Sequence, residues 1–232
     1  MNARAKPPAA STDPTASAVA TRTGPGRPTK KQIEERNVEL LDKALDIFLE
    51  NGFERTTIRE ITETVGMAKR TVTSRYGNKV SLLKAALHRA IDEWALPIEP
   101  LREAETDDRE ETLFRIARIL VHHNLSPAGL RLLRISNAES YRMPEIGAYA
   151  LEQGTRSAMS YLSDLFERRF SEGRPFPDAE KFAFSFLGLV VGSPARMVVW
   201  GIAMTDAEIE AHIVHSVRLF LHGMMHRPSD GA

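Results

Sequence analysis

A chain of 232 residues with 42% hydrophobic content can bury the core of one large domain or two small ones. Its 31 basic and 31 acidic residues cancel, and the lack of cysteine excludes disulfides, thiol nucleophiles, iron–sulfur clusters and cysteine-type zinc sites. Neutrality hides an asymmetry: residues 1–84 carry 15 basic and 10 acidic groups while residues 85–232 carry 16 and 21, so the two parts are expected to face different partners.

The chain opens on a segment rich in Ala, Pro, Thr and Ser, with too few large apolar residues to offset the entropy of ordering it. Residues 1–33 are therefore expected to form a disordered basic arm. The arm has no apolar stretch of the signal-peptide kind, and nowhere do 18 apolar residues run uninterrupted. Neither a leader nor a membrane span is expected, and the protein is assigned to the reducing cytoplasm. Within the arm, GPGRPTKK at 24–31 offers Gly24 and Gly26 but no third glycine and no preceding strand, which rejects a dinucleotide fingerprint. It resembles half of an AT-hook, which implies that Arg27 enters a narrow A·T minor groove while Lys30 and Lys31 meet phosphate. A flexible basic linker fits the same residues.

From Glu34 the pattern turns helical. Leu40, Leu41, Ala44, Leu45, Phe48 and Leu49 recur every three or four residues until Asn51 and Gly52 stop the helix. A shorter helix is predicted over 57–64, capped by Thr56 or Thr57, with Ile58, Ile61 and Val65 facing inward and Glu60 in its first turn. Gly66 then permits a tight turn into a third helix over 68–76, ended by Gly77. Three short helices with a glycine turn between the last two outline a helix-turn-helix module at 34–84.

No acid occurs between Glu63 and Asp92, a stretch that holds Lys69, Arg70, Arg75, Lys79, Lys84 and Arg89. In a helix-turn-helix the second of the paired helices enters the major groove, where a carboxylate would repel the duplex. With Val72 turned into the small core, Lys69, Arg70, Thr71, Thr73 and Arg75 lie on or near the outer surface. Arg70 is best placed for a bidentate contact with guanine, and Thr71 for a thymine methyl or a phosphate. Lys79 and Thr57 are expected to hold phosphates on either side.

The stretch TTIREITETVGMAKRTVTSRYGNKVSLL, 56–83, closely resembles the DNA-binding segment of the TetR family of bacterial regulators. The match rests on the Thr56-Thr57 opening, Ile58 and Ile61, Gly66, Lys69, Thr71, the aromatic Tyr76, Lys79 and Leu82-Leu83, with Ala44, Phe48, Gly52 and Phe53 before it. It adds Tyr76 to the expected DNA contacts. Where the family usually has Ser, Gly, Tyr and Pro, this chain has Ala68, Arg70, Thr73 and Gly77, so an unusual operator is expected.

Beyond the module no strand-like alternation occurs, and helices are predicted over 79–95, 107–124, 127–141, 144–171, 177–191 continuing past Pro194 to 200, and 206–226. The expected fold is all-α, with a regulatory and dimerisation domain at 85–227 and a tail at 228–232. The resemblance implies that this half binds a small molecule and dimerises through its last two helices, and LRLLRISNAESYRMPEIGAYALEQG is similar to the AefR-like C-terminal domain of one TetR subgroup. Paired modules also suit palindromic half-sites.

In the helix at 107–124, His123 and Asn124 fall toward apolar sides; they orient a ligand or, as the commoner outcome, make satisfied core hydrogen bonds. Tyr141, Tyr149, Met159, Phe184, Met197 and Trp200 are candidates to line a pocket, though each is more often simply core, and Arg196 suits an acidic ligand or a surface carboxylate. His212, His215, His222 and His226 share one stripe of the last helix, as a solvated face, a dimer edge or a metal or pH sensor. No cofactor is expected.

The leading expectation is a ligand-responsive repressor that binds a palindromic operator in double-stranded DNA as a homodimer and is released by a small-molecule effector. An effector-independent architectural DNA binder is the alternative. An enzyme is the weakest reading, for the chain has no Gly-x-Ser-x-Gly elbow, Walker loop or His-Glu-x-x-His.

Overall fold

Thr29 and Gln32 set the start of the first helix, α1 (Lys30–Asn51): the Thr29 hydroxyl accepts from the Gln32 amide at 3.2 Å and the Gln32 side chain accepts from the Thr29 amide at 2.9 Å. This capping box begins α1 ahead of the expected Glu34, and so orders the last residues assigned to the arm. The structure, a computed structural model, describes residues 29–171 and 178–225. Arg27, the two arm glycines and His226 lie outside the described residues.

Thr57 caps α2 (Ile58–Thr64), and its neighbour Thr56 is buried, donating to Gly52 O at 2.8 Å. Gly66, at φ +63°, turns the chain into α3 (Lys69–Tyr76), and Gly77, at φ +78°, ends it. Asn78 caps α4 (Lys79–Trp94) by accepting from the Ser81 amide at 2.9 Å. Then follow α5 (Glu99–Glu103), α6 (Arg109–Asn124) capped by Asp108, and α7 (Pro127–Glu139) capped by Ser126 with proline in its first turn. The short α5, between Pro97 and Asp107, was not foreseen in the sequence.

The predicted single helix at 144–171 is instead three pieces: α8 (Pro144–Tyr149), a π-helical segment (Ala150–Thr155) and α9 (Arg156–Phe170). The reason is local packing. Gly154 lies against the indole of Trp94, and a Cβ there would stand 3.1 Å from Cζ3, so the wider turn seats the backbone against that ring. The chain finishes with α10 (Ala179–Val199), which runs through the buried Pro194 as expected, and α11 (Asp206–Met225). All regular elements among the described residues are helices, in agreement with an all-α fold.

The helices bury two cores. The first joins α1 to α4 through Leu40, Leu45, Phe48, Ile61, Val72, Leu83 and Leu87, and it also takes in Leu132 and Ile135 of α7, Met143, and Ile146 of α8. The packing therefore crosses the expected boundary at residue 84: Ala86, Leu87 and Ile91 belong with the DNA-binding helices, and so does part of the second half. Ion pairs reinforce this seam. Arg131 of α7 donates to Asp42 O at 2.8 Å and pairs with Asp46 at 2.8 Å, Arg142 pairs with Glu54 at 2.7 Å, and Lys84 pairs with Glu145.

The second core lies among α5, α6, α9, α10 and α11, centred on Phe166, whose ring meets Phe170, Phe186 and Phe220 at centroid distances of 5.6, 6.0 and 5.4 Å. Arg118 of α6 forks onto both carboxylate oxygens of Glu210 of α11 at 3.0 Å. By length and composition α10 is long and apolar enough to cross a membrane, with a mean hydropathy of 1.7. Ala183, Phe186 and Val190 nevertheless bury one of its faces in this core.

Phe166→Ala is expected to cost about 3–5 kcal/mol, the usual penalty for emptying a fully buried aromatic site. Urea denaturation should show the midpoint falling with the slope little changed.

Candidate nucleic-acid interface

One buried residue seats α3: Val72, 1% exposed, enters the first core with Ile61. The opposite face is open. Lys69, Arg70, Thr71, Ser74 and Arg75 are exposed there, and the acid-free run puts no carboxylate among them. Arg75 is drawn toward Glu34 of α1 at 3.8 Å, and its guanidinium lies 5.8 Å from the Tyr76 ring centre. Arg70, with neither hydrogen bond nor ion pair among the described residues, keeps its fork of donors for an incoming partner. Lys30, at the first position of α1, and Thr57, at the cap of α2, are exposed as well.

Three of the expected DNA contacts are redirected. Lys79 was expected to hold a phosphate, but its ammonium donates to the carbonyls of Phe53, Glu54 and Thr56 at 2.7, 3.2 and 3.0 Å and sits 4.3 Å from the Phe53 ring centre. An ammonium has three donors, and all three are engaged with the α1–α2 turn. Tyr76 was expected at the DNA; its hydroxyl donates instead to Asn37 of α1, and its half-buried ring holds α3 to that helix. Burial pushes the Tyr76 hydroxyl above its usual pKa, while Arg75 and Asn37 pull the other way. The Thr73 hydroxyl is shared between Lys69 O at 3.0 Å and Arg70 O at 3.2 Å, so its proton stays on the helix backbone. Sequence reasoning missed Asn37 and Ser74. The first had no visible partner, whereas Ser74 follows from the helical period.

Most of the candidate pocket residues do not converge. Tyr141 is fully exposed at the α7–α8 turn, a correction that follows from its place at a helix end. Tyr149 donates to Asp92 at 2.7 Å and stacks on His88 with ring centres 3.8 Å apart, so it fastens α8 to α4; the bond to Asp92 raises its pKa. Arg196 lies over the ring of Trp200 at 5.8 Å, and that ring is 67% exposed at the end of α10. Asn124 donates to Leu120 O at 2.9 Å, the satisfied-core outcome. His123 likewise uses Nε2 on Trp94 O at 2.8 Å, with the two rings stacked 4.8 Å apart. Two of the candidates, Met159 and Phe184, do share a cleft, an open one of about 450 Å³ between α9 and α10 lined also by Leu151, Arg156, Asp164 and Glu180.

On α11, His212 bonds to Val190 O at 3.1 Å and His222 uses Nδ1 on Arg218 O, while His215 and His222 face a shallow groove with Val214, Arg218 and Leu219. Among the described residues no group of three or more potential metal ligands gathers.

Residues 40–86 match the family model of bacterial regulatory proteins of the tetR family, and residues 111–223 match that of the AefR-like transcriptional repressor C-terminal domain. Together they span well over half of the chain. Among curated proteins, the HTH-type transcriptional repressor ComR of Escherichia coli K12 is 32% identical over 88 residues, 38% of this chain and 40% of ComR. The HTH-type transcriptional regulator RutR of the same strain is 29% identical over 73 residues, 32% of this chain and 34% of RutR. The chain thus matches two fifths or less of the length of these relatives. Among solved structures, a TetR-family transcriptional regulator from Mesorhizobium loti aligns with a TM-score of 0.70 at 23% identity, over 84% of this chain and 98% of that one. The flavonoid-responsive regulator FrrA aligns at 0.62 and 26% identity, over 82% and 97%.

Lys79→Met removes a three-carbonyl clamp and is expected to destabilise the protein by about 1–3 kcal/mol, read as a lowered Tm. The salt dependence of DNA binding should hardly change. A normal Tm with a log–log salt slope reduced by about one would instead mark Lys79 as a phosphate ligand.

Proposed function

The chain belongs to the TetR family of bacterial regulatory proteins, with an AefR-like C-terminal domain, and from that premise we propose that it is a homodimeric, effector-responsive transcriptional repressor acting on a palindromic operator in the cytoplasm. The observation that carries the reading is the exposed, acid-free face of α3, borne on helices whose core continues into the second half of the chain. Lys69 and Arg75 suit phosphates, Arg70 suits a guanine edge and Thr71 a thymine methyl.

A single module reads few base pairs, so operator recognition calls for two copies set about one helical turn apart. The outer faces of α10 and α11 suit that pairing. Phe184 is 61% exposed and Leu219 52%, and the α11 groove has Ala211 and Val214 in its floor with Arg218, His215 and His222 on its rim. This is the apolar centre and polar edge of a protein interface. His215 and His222 then belong to the dimer edge.

An effector-sensing role for the helical half is supported by its likeness to FrrA, a flavonoid-responsive regulator, and by the repressor description of the matching C-terminal domain. Regulators of this family bind DNA and are not enzymes.

Recovery of bound sequences from randomised duplexes, at physiological and at raised salt, is expected to yield a palindrome with two separated half-sites. Weak, sequence-blind binding that vanishes with salt would favour the architectural alternative. Arg70→Ala should weaken binding to the recovered operator by about 1–3 kcal/mol in fluorescence anisotropy and leave scrambled DNA nearly unaffected; equal losses on both would make Arg70 a phosphate clamp. Leu219→Asp should convert the dimer to monomer in sedimentation velocity and abolish tight operator binding while leaving the helical circular dichroism unchanged.

A further inference from the structure

Three helical segments meet at the end of α4. Trp94, its last residue, packs against the first core, against Gly154 of the π-helical segment and, face to face, against His123 near the end of α6. Two hydrogen-bonding groups in this small cluster, one of them buried, have no partner among the described residues. The buried indole Nε1–H of Trp94 has no partner among the described residues, an arrangement that normally costs about 1–3 kcal/mol. His123 is its complement. A carbonyl can only accept, so the bond to Trp94 O puts the proton of the neutral imidazole on Nε2 and leaves Nδ1 an acceptor, and Nδ1 has no hydrogen bond among the described residues.

We propose that this stacked pair is the polar anchor of the effector site, and that it takes a hydroxyl group on an otherwise apolar, uncharged ring. The proposal rests on the reading of the chain as an effector-responsive regulator. A hydroxyl has both functions in one group, an oxygen to accept from the indole N–H and a proton to donate to Nδ1. A carboxylate has no proton to give to Nδ1, and an ammonium has no acceptor for the indole. The surroundings are apolar: Trp94 and Ala150 pack against the first core, and Ile91 of that core lies with the Trp94 ring against Gly154. The π-helical segment, whose hydrogen-bond pattern departs from the α-helices at its two ends, is the wall most readily displaced to admit such a ring.

The position also makes binding consequential. Trp94 ends the helix that begins at Lys79, two residues after the turn that closes α3, so a ligand that draws on Trp94 pulls on the helix that carries the reading head.

The chain has two tryptophans, and Trp200 is exposed at the end of α10. In a ¹⁵N-labelled full chain, Trp200→Phe therefore leaves a single indole N–H resonance, that of Trp94. Titration with p-cresol is expected to move this resonance downfield with saturation. Toluene, of the same size without the hydroxyl, should leave it in place, and 4-methylanisole, an acceptor without a donor, should bind about tenfold more weakly than p-cresol. 4-Methylcyclohexanol distinguishes an alicyclic from an aromatic source of the hydroxyl. His123→Phe should weaken p-cresol about tenfold. Should that variant fold poorly, Trp94→Phe, read by calorimetry, tests the same contact from the other side.

An indole resonance that ignores p-cresol up to its solubility, or that shifts equally with toluene, overturns the proposal. Operator release is followed separately. A shift at Trp94 without release upholds the site and removes the effector reading, whereas release by another compound with Trp94 silent does the reverse.

Discussion

Burial of one face of α4 is the constraint on which the rest of the molecule depends. Leu82, Leu83, Ala86, Leu87 and Ile91 are each at most 2% exposed, and all five enter the first core. At roughly 1.5–3 kcal/mol for each large side chain, this face outweighs any of the surface ion pairs near it. The helix contains no glycine or proline and is about 24 Å long by the usual rise per residue, so it behaves as a rod. Its first residue clamps the α1–α2 turn and its last meets α6 and the π-helical segment. The orientation of α3 is therefore fixed partly by groups at the far end of α4.

The contacts of the DNA-facing side chains follow a simple division. Residues whose polar atoms are fully engaged inside the module hold it together, and those with donors or acceptors to spare face outward. Lys79, Tyr76 and Thr73 lie close to the recognition surface in sequence, yet each has its polar atoms engaged by backbone or by Asn37. Arg70, Thr71 and Ser74 retain theirs. A basic residue in such a module is thus informative about DNA only after its intramolecular bonds are counted, because an ammonium whose three donors reach carbonyls adds to the local positive potential while having no further donor to spare in that arrangement.

Much of this was legible in the sequence because it is local. Helical periodicity placed α1 to α4, Gly66 and Gly77 marked turns that need positive φ, and the gap in acidic residues marked the surface that meets a polyanion. The Thr29-x-x-Gln32 capping box was equally local and was passed over in favour of composition. What could not be read was set by contacts between distant residues. Nothing near Lys79 in sequence shows that Phe53, Glu54 and Thr56 present carbonyls to it, and nothing in 144–171 shows that an indole more than fifty residues earlier lies against Gly154 of the π-helical segment. The candidate pocket scattered for the same reason: aromatic residues were grouped by type, whereas Tyr141 sits at a helix end, Tyr149 faces Asp92 and Trp200 closes α10.

The seam between α7–α8 and the DNA-binding helices gives the molecule a second attachment besides α4. Leu132, Ile135, Met143 and Ile146 supply apolar contact, and Arg131, Arg142 and Glu145 reach Asp46, Glu54 and Lys84. A head held at one point could swing freely while its regulatory half stayed still. With two attachments, any displacement of α4 must either carry α7 and α8 along or slide against their apolar side chains. Sliding exposes surface and leaves the partly buried guanidinium of Arg131, whose shielded Nε has no partner among the described residues, without Asp42 and Asp46. Concerted movement avoids that penalty. The π-helical segment, which follows α8 directly and touches Trp94, is the piece of backbone that belongs to both attachments, and a change in its packing reaches the reading head by either route.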